Sequence, residues 1–156
     1  LIDRRVLGSF VFGNPERMEA LRTAIGDIPA YFMALLDRWE AELPNEAIAV
    51  LEAVNLLEND YMTKAHAAWL VVTNPEIAIR RLTRDRHLSH EEAEQRLTSS
   101  RDWRERAPAA DRIFHNSSSL DAFHLQINDA IGETRNAHSA NTLPLPKWHK
   151  TPSDHA

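Results

Sequence analysis

The feature that most constrains this chain is a pair of short apolar runs, each closed by an asparagine and followed by helix-opening residues. Ala68-Trp69-Leu70-Val71-Val72-Thr73 precedes Asn74-Pro75-Glu76, and Arg112-Ile113-Phe114-His115 precedes Asn116 and then Ser119-Leu120-Asp121. Continuous apolar runs of this length, bounded by turn residues, read as strands buried on both faces. Strands alternating with helices imply a parallel α/β sheet. A third run, Glu46 to Leu51 (Glu-Ala-Ile-Ala-Val-Leu), reads as a strand too. Three strands are few for such a sheet. The chain also opens at Leu1 directly inside a motif, so further sequence upstream is expected.

The remaining segments carry helix signals. Asp3 is positioned to cap a helix beginning at Arg4 or Arg5, and Asn14-Pro15 starts a second with Met18, Leu21 and Ile25 on one face. A long amphipathic stretch from about Ile28 to Leu43 presents Phe32, Leu35, Leu36 and Trp39. Asn55 to Lys64 reads as loop or short helix. A helix is expected from Pro75 through Leu82, and Ser89-His90-Glu91-Glu92 has the form of a capping box that starts another through Leu97. Ser119 opens a closing helix through Ile131. From Gly132 periodicity is lost, and residues 133–156 are expected to be a disordered tail.

With 156 residues, 43% of them hydrophobic, the chain has the size and composition of one folded domain. A net charge of −5 offers no global attraction to nucleic acid or to an anionic membrane surface. No cysteine is present, which excludes disulfides and thiolate metal sites. No apolar run approaches the ~20 residues needed to span a bilayer, and no leader-like segment opens the chain. These properties lead to the expectation of a cytoplasmic protein. The eight histidines form no His-Glu-x-x-His, and no Gly-x-Ser-x-Gly is present. The glycines, Gly8, Gly13, Gly26 and Gly132, make no phosphate-binding Gly-x-x-x-x-Gly-Lys-Ser/Thr loop.

Charge is concentrated locally instead. Arg80 to Arg86 holds four arginines in seven residues. Arginine suits the clamping of phosphate, because its planar fork gives bidentate contacts and keeps its charge. Taken alone the run reads better as a solvated helix face, Glu58 as a surface carboxylate, and Asn116 as a turn residue. Their joint order is more informative. Ile2-Asp3-Arg4-Arg5 leads into Val6-Leu7-Gly8 and Val11-Phe12-Gly13-Asn14. Glu52-Ala53-Val54-Asn55-Leu56-Leu57-Glu58 follows, then Arg80-Arg81-Leu82 with Leu88-Ser89-His90-Glu91-Glu92-Ala93, and last Ala110-Asp111-Arg112-Ile113-Phe114-His115-Asn116.

In that order and spacing the blocks resemble the later two-thirds of the dephospho-CoA kinase family, P-loop kinases that phosphorylate the ribose 3′-hydroxyl of dephospho-CoA. The resemblance covers Ile2 to about Ile131, with a one-residue insertion near Gly26-Asp27. It looks closest to the branch that includes the kinase half of eukaryotic CoA synthase. It implies a partial nucleoside- or nucleotide-kinase-like parallel sheet, with a kinase-like domain over 1–132. Within that domain, 1–46 would be a helical acceptor-binding segment and 80–106 a lid. ATP and Mg²⁺ are the implied cofactors, with no metal ligands in this chain; dephospho-CoA is the implied substrate.

By matching position, Arg4 and Glu58 would serve the acceptor, and Arg106 and Asn116 would bind ATP, joined there by Arg84 from beside the displaced lid position. Arg86 and Arg81 would take catalytic roles on the phosphates. The sequence departs from the pattern at Ile28-Pro29, where His-Pro or Trp-Pro is usual, and at Ser100, where glutamine is common. It departs most at Asp85, which stands where the lid arginine is expected, with Arg84 and Arg86 on either side. Arg86 is favoured as the replacement, because it lies beside the turn at His87-Leu88. Two further readings stay open: a non-catalytic relative that binds CoA-like ligands, nucleotides or a partner protein, and a lid-bearing kinase for another nucleoside or nucleotide.

Overall fold

The computed structural model describes residues 2–11, 13–54, 56, 60–99 and 102–150, and for Arg4, Arg5, Asp60, Tyr61, His149 and Lys150 the backbone only. The chain divides into two compact units, residues 1–51 with 59–64, and residues 52–58 with 65–156.

The first unit is helical. α1 (Arg4–Val11) begins at Asp3, whose carboxylate accepts from the Val6 amide at 3.3 Å and whose carbonyl accepts from Leu7 at 2.9 Å. α2 (Pro15–Ile25) is capped by Asn14 and α3 (Ile28–Glu42) by Asp27, each side chain accepting from an amide three residues on. Gly13 and Gly26, with φ of 80° and 84°, make the reversals that end α1 and α2, a conformation that costs a side-chain-bearing residue energy. A 3₁₀ turn at Asp60–Lys64 is tied to α3 through Lys64, which pairs with Asp37 at 2.8 Å and Glu40 at 3.0 Å. Val11 and Met62 are buried here.

The run Glu46 to Leu51, expected to be a strand, is not one. Ala47 donates to the Pro44 carbonyl in a turn, and the residues after it take no regular structure. The physical reason is the lack of a partner: every regular element described in this unit is helical, so no ladder is offered. Val50 is left 74% exposed.

The second unit holds the sheet, a parallel pair of β1 (Trp69–Val72) and β2 (Arg112–His115) in register Trp69 to Arg112 through Val72 to His115. Between them run α4 (Pro75–Arg86), α5 (His90–Thr98) and α6 (Trp103–Arg106), followed by a 3₁₀ turn at Ala107–Ala109. Ala68, Val72, Ala93, Ala110, Phe114 and Ala130 are buried, and the Trp69 and Phe114 rings pack at 5.1 Å. The mixture of helices with a parallel sheet is the class the sequence implies.

α4 and α5 form a helical hairpin. Its turn places His87 in the left-handed region (φ 54°), where its amide closes α4 onto the Leu82 carbonyl. α5 then starts on a complete capping box: Ser89 Oγ accepts from the Glu92 amide, and the Glu92 carboxylate accepts from the Ser89 amide at 2.7 Å.

The expected disorder of residues 133–156 is corrected over the described part of that segment. α7 (Leu120–Ser139) continues past Gly132, and a last 3₁₀ turn forms at Lys147–Lys150. Tertiary partners supply what periodicity lacks: Glu133 of α7 pairs with Arg112 of β2, and the Lys147 amide donates to Asp111 at 2.8 Å. Within α7 the Thr134 hydroxyl donates to the Ala130 carbonyl at 2.8 Å. Residues 151–156 lie outside the described residues.

Candidate active site

In open α/β sheets ligands bind beyond the carboxyl ends of the parallel strands, and here those ends are stitched together. The Asn116 amide donates to the Val72 carbonyl at 2.8 Å, and the Asn74 amide donates to Ser117 Oγ at 2.8 Å. Thr73 Oγ1 donates to the Asn116 carbonyl at 3.4 Å. Asn74 and Ser119 cap α4 and α7, so two helix N-termini open at this edge.

Arg81 reaches the edge from the second turn of α4. Its Nη1 donates to the Asn116 carbonyl at 2.8 Å and its Nη2 to the Ser118 carbonyl at 3.5 Å. Two residues singled out from sequence, Arg81 and Asn116, are thus joined directly. The last turn of α4 differs. Arg84 grips Asp85 with both arms of its fork, Nε to Oδ1 at 2.6 Å and Nη2 to Oδ2 at 2.9 Å. That bond, before any other influence, holds the Asp85 carboxyl below its ordinary range, with the charges of Arg84, Arg81 and Arg86 acting in the same direction. Asp85 also raises Arg84 further above an already high value. Arg86 is exposed, and its side chain makes no hydrogen bond to a described residue.

Arg106, at the end of α6, is half-buried. It lines a cavity of about 60 Å³ with Ala53, Val54, Leu56, Trp69 and Ala110. The arginine expected on the ATP side therefore abuts the block expected on the acceptor side. Glu58 of that block lies outside the described residues, as does the side chain of Arg4.

Sequence reasoning passed over Thr73, Ser117 and Asp111. Asp111 accepts from the Ala68 amide at 2.7 Å and from the Lys147 amide, joining the start of β1 to the 3₁₀ turn at Lys147–Lys150. Its signal was its position, an Asp immediately before a strand, where a short carboxylate commonly satisfies nearby amides. Thr73 and Ser117 carried a similar signal, as small hydroxyl residues flanking the two strand-ending asparagines.

A helical hairpin bearing arginines beside the carboxyl ends of parallel strands is an arrangement suited to phosphoryl transfer. The profile of the family described as dephospho-CoA kinase matches residues 1–122, and the chain belongs to that family. A dephospho-CoA kinase of Symbiobacterium thermophilum is 31% identical over 130 residues, covering 83% of this chain and 54% of the relative. One from Streptococcus thermophilus is 26% identical over 135 residues, covering 86% and 68%. The crystal structure of TT1252 from Thermus thermophilus superposes with a TM-score of 0.62 at 26% identity, covering 84% of this chain and 66% of that one. The chain thus spans from about half to two-thirds of the length of these relatives.

Among the described residues no group of three or more His, Asp or Glu side chains converges in a way that could hold a metal ion. None of the described helices is long and apolar enough to cross a membrane.

Proposed function

We propose that the protein containing this chain transfers the γ-phosphoryl group of ATP to the ribose 3′-hydroxyl of dephospho-CoA, the last step of coenzyme A formation. The observation that carries this reading is the arginine-bearing α4–α5 hairpin, rooted through Arg81 in the loop at the strand ends. In the reaction the acceptor oxygen bonds to the γ-phosphorus as the bond to the β-phosphate bridge breaks, and ADP leaves. The hydroxyl proton passes to a carboxylate base, which we assign to the phosphate-loop portion of the whole protein rather than to this chain.

This chain's part is charge and position. Arg86, exposed near the hairpin turn, meets the negative charge developing on the transferred group, where a phosphate-clamping arginine is worth ~10³-fold or more. Arg84 is a weaker candidate for that task, because a phosphate must first displace Asp85. We assign Arg106 and Asn116 to the nucleotide, and Arg4 and Glu58 to the acceptor. Mg²⁺ belongs with the ATP phosphates, and no step assigned to this chain passes through it.

The test is to join the chain to the phosphate-loop portion of the Symbiobacterium thermophilum relative and express it in bacteria depleted of their own enzyme. Restored growth supports the reading; no rescue by a stably produced protein counts against it. The Arg84–Asp85 pair favours one second reading, a relative that binds CoA-like ligands without transferring phosphate. That reading predicts ligand binding with no rescue.

A further inference from the structure

We propose that Arg81 is a positioning residue, holding the loop at residues 116–118 against α4 rather than touching a phosphate. The assignment rests on the geometry of five hydrogen bonds around one peptide segment. The segment's carbonyls at Asn116 and Ser118 both point at the Arg81 guanidinium, at 2.8 and 3.5 Å. Its Asn116 amide is spent on the Val72 carbonyl, and its Ser117 hydroxyl on the Asn74 amide. Thr73 Oγ1 adds a weaker bond to the Asn116 carbonyl that Arg81 already holds. The Asn116 side-chain amide, in contrast, makes no hydrogen bond to a described residue, so the loop presents it while its backbone is fixed from behind.

A guanidinium suits this task because its donors diverge in a plane, so two carbonyls two residues apart are held by one rigid group. Lysine could reach one of them. Both bonds are charge-assisted, and the shorter one, to Asn116, is half-sheltered, so it exceeds a neutral bond in strength while the exposed one to Ser118 adds less. They also couple the first helix of the hairpin to the strand-end loop: a movement of α4 about its N-terminus must either carry the loop or break them. Arg81 would thereby set the shape of the nucleotide side of the site from its rear. This consequence rests on the proposed kinase reading; the positioning itself does not.

Two measurements separate the two ideas. The first is amide hydrogen exchange in the 156-residue chain at Asn74 and Asn116, whose amides bond across the segments that Arg81 ties. Arg81→Ala should accelerate exchange at both by roughly tenfold or more, following the loss of a charged hydrogen bond. Arg81→Lys should give an intermediate increase, Arg86→Ala none, and the α5 capping-box amide of Glu92 should stay unchanged in all three. Unchanged exchange at Asn74 and Asn116 in Arg81→Ala, with Glu92 also unchanged, overturns the positioning role; Arg81→Lys covers the case in which the alanine variant does not fold. The second is steady-state kinetics of the chain joined to the phosphate-loop portion. Arg81→Ala should raise the KM for ATP at least several-fold with a smaller effect on kcat, and Arg81→Lys should recover part of it. A loss confined to kcat would make Arg81 a direct phosphate contact and overturn the proposal. A parent protein with no kinase activity sinks the function reading, while the exchange result still decides on Arg81.

Discussion

The root and the tip of the α4–α5 hairpin hold the same residue type in opposite ways. At the root, Arg81 spends its donors on two peptide carbonyls that belong to a neighbouring loop. At the tip, Arg84 spends them on the adjacent Asp85, and Arg86 is open to solvent. A charge satisfied by backbone from another element fixes that element. A charge satisfied by a neighbouring side chain, or by water, is available to an incoming anion at lower cost. One arginine-rich helix thus divides into an end bound to another element and an end whose charge meets only a neighbouring side chain or solvent.

The strongest way to break this comparison is at the tip. Arg86→Ala in the complete protein should reduce kcat by ~10³-fold, with stability changed by no more than about 0.5 kcal/mol, because an exposed clamp contributes to the transition state and little to folding. Rate and denaturant midpoint measured on the same preparation check both halves. An equal loss in Arg84→Ala with none in Arg86→Ala would move the clamp by two residues.

The base of the unit offers the next largest effect. Asp111→Ala removes the acceptor of two backbone amides, those of Ala68 and Lys147, and should destabilise the unit by about 1–3 kcal/mol. Urea unfolding is the measurement, and a neutral result would show that neither bond matters. A smaller effect of opposite sign is expected in α7. Gly132 is helical and an added Cβ there meets nothing within 4 Å, so Gly132→Ala should stabilise by about 0.5–1 kcal/mol. No gain would mean that the helix does not run through residue 132.

The smallest effect is electrostatic and belongs to the tip. The Glu92 carboxyl is held below its ordinary 4.5, first by the backbone amide of Ser89 and then by its hydroxyl. A depressed folded-state value stabilises above the unfolded value and fades as pH falls through the folded one. The capping box should therefore be fully effective above about pH 5 and weaken below about pH 4. Glu92→Gln should be less helical than the parent at neutral pH by circular dichroism, with the difference shrinking toward low pH. A difference that grows on acidification would reverse the sign of this account.

How much of this was legible in the sequence depended on whether a signal was local. β2 was read to the residue, and the caps at Asp3, Asn14, Asn74, Ser89 and Ser119 marked their helices, because a short polar side chain and its amide target lie within a few residues. The strand expected at Glu46–Leu51 failed because apolar character names a buried segment only when a neighbour is there to pair with it. The helix past Gly132 was missed for the converse reason: Arg112 of β2 supports it through Glu133, from outside any periodic pattern. The candidate site divides in the same way. The arginine cluster was visible as composition, whereas the attachment of Arg81 to the carbonyls of residues 116 and 118 spans more than thirty positions and leaves no local trace.

The account stands most directly on the acceptor. With the chain joined to the phosphate-loop portion of a relative, initial rates of ADP formation should be compared for dephospho-CoA, adenosine and a pyrimidine nucleoside, and the product's phosphate located by ³¹P NMR. Saturable, ATP-dependent transfer to the ribose 3′-hydroxyl of dephospho-CoA, with the other two acceptors far slower, is the predicted result. Faster transfer to a simple nucleoside, or tight binding of dephospho-CoA with no transfer at all, would contradict it.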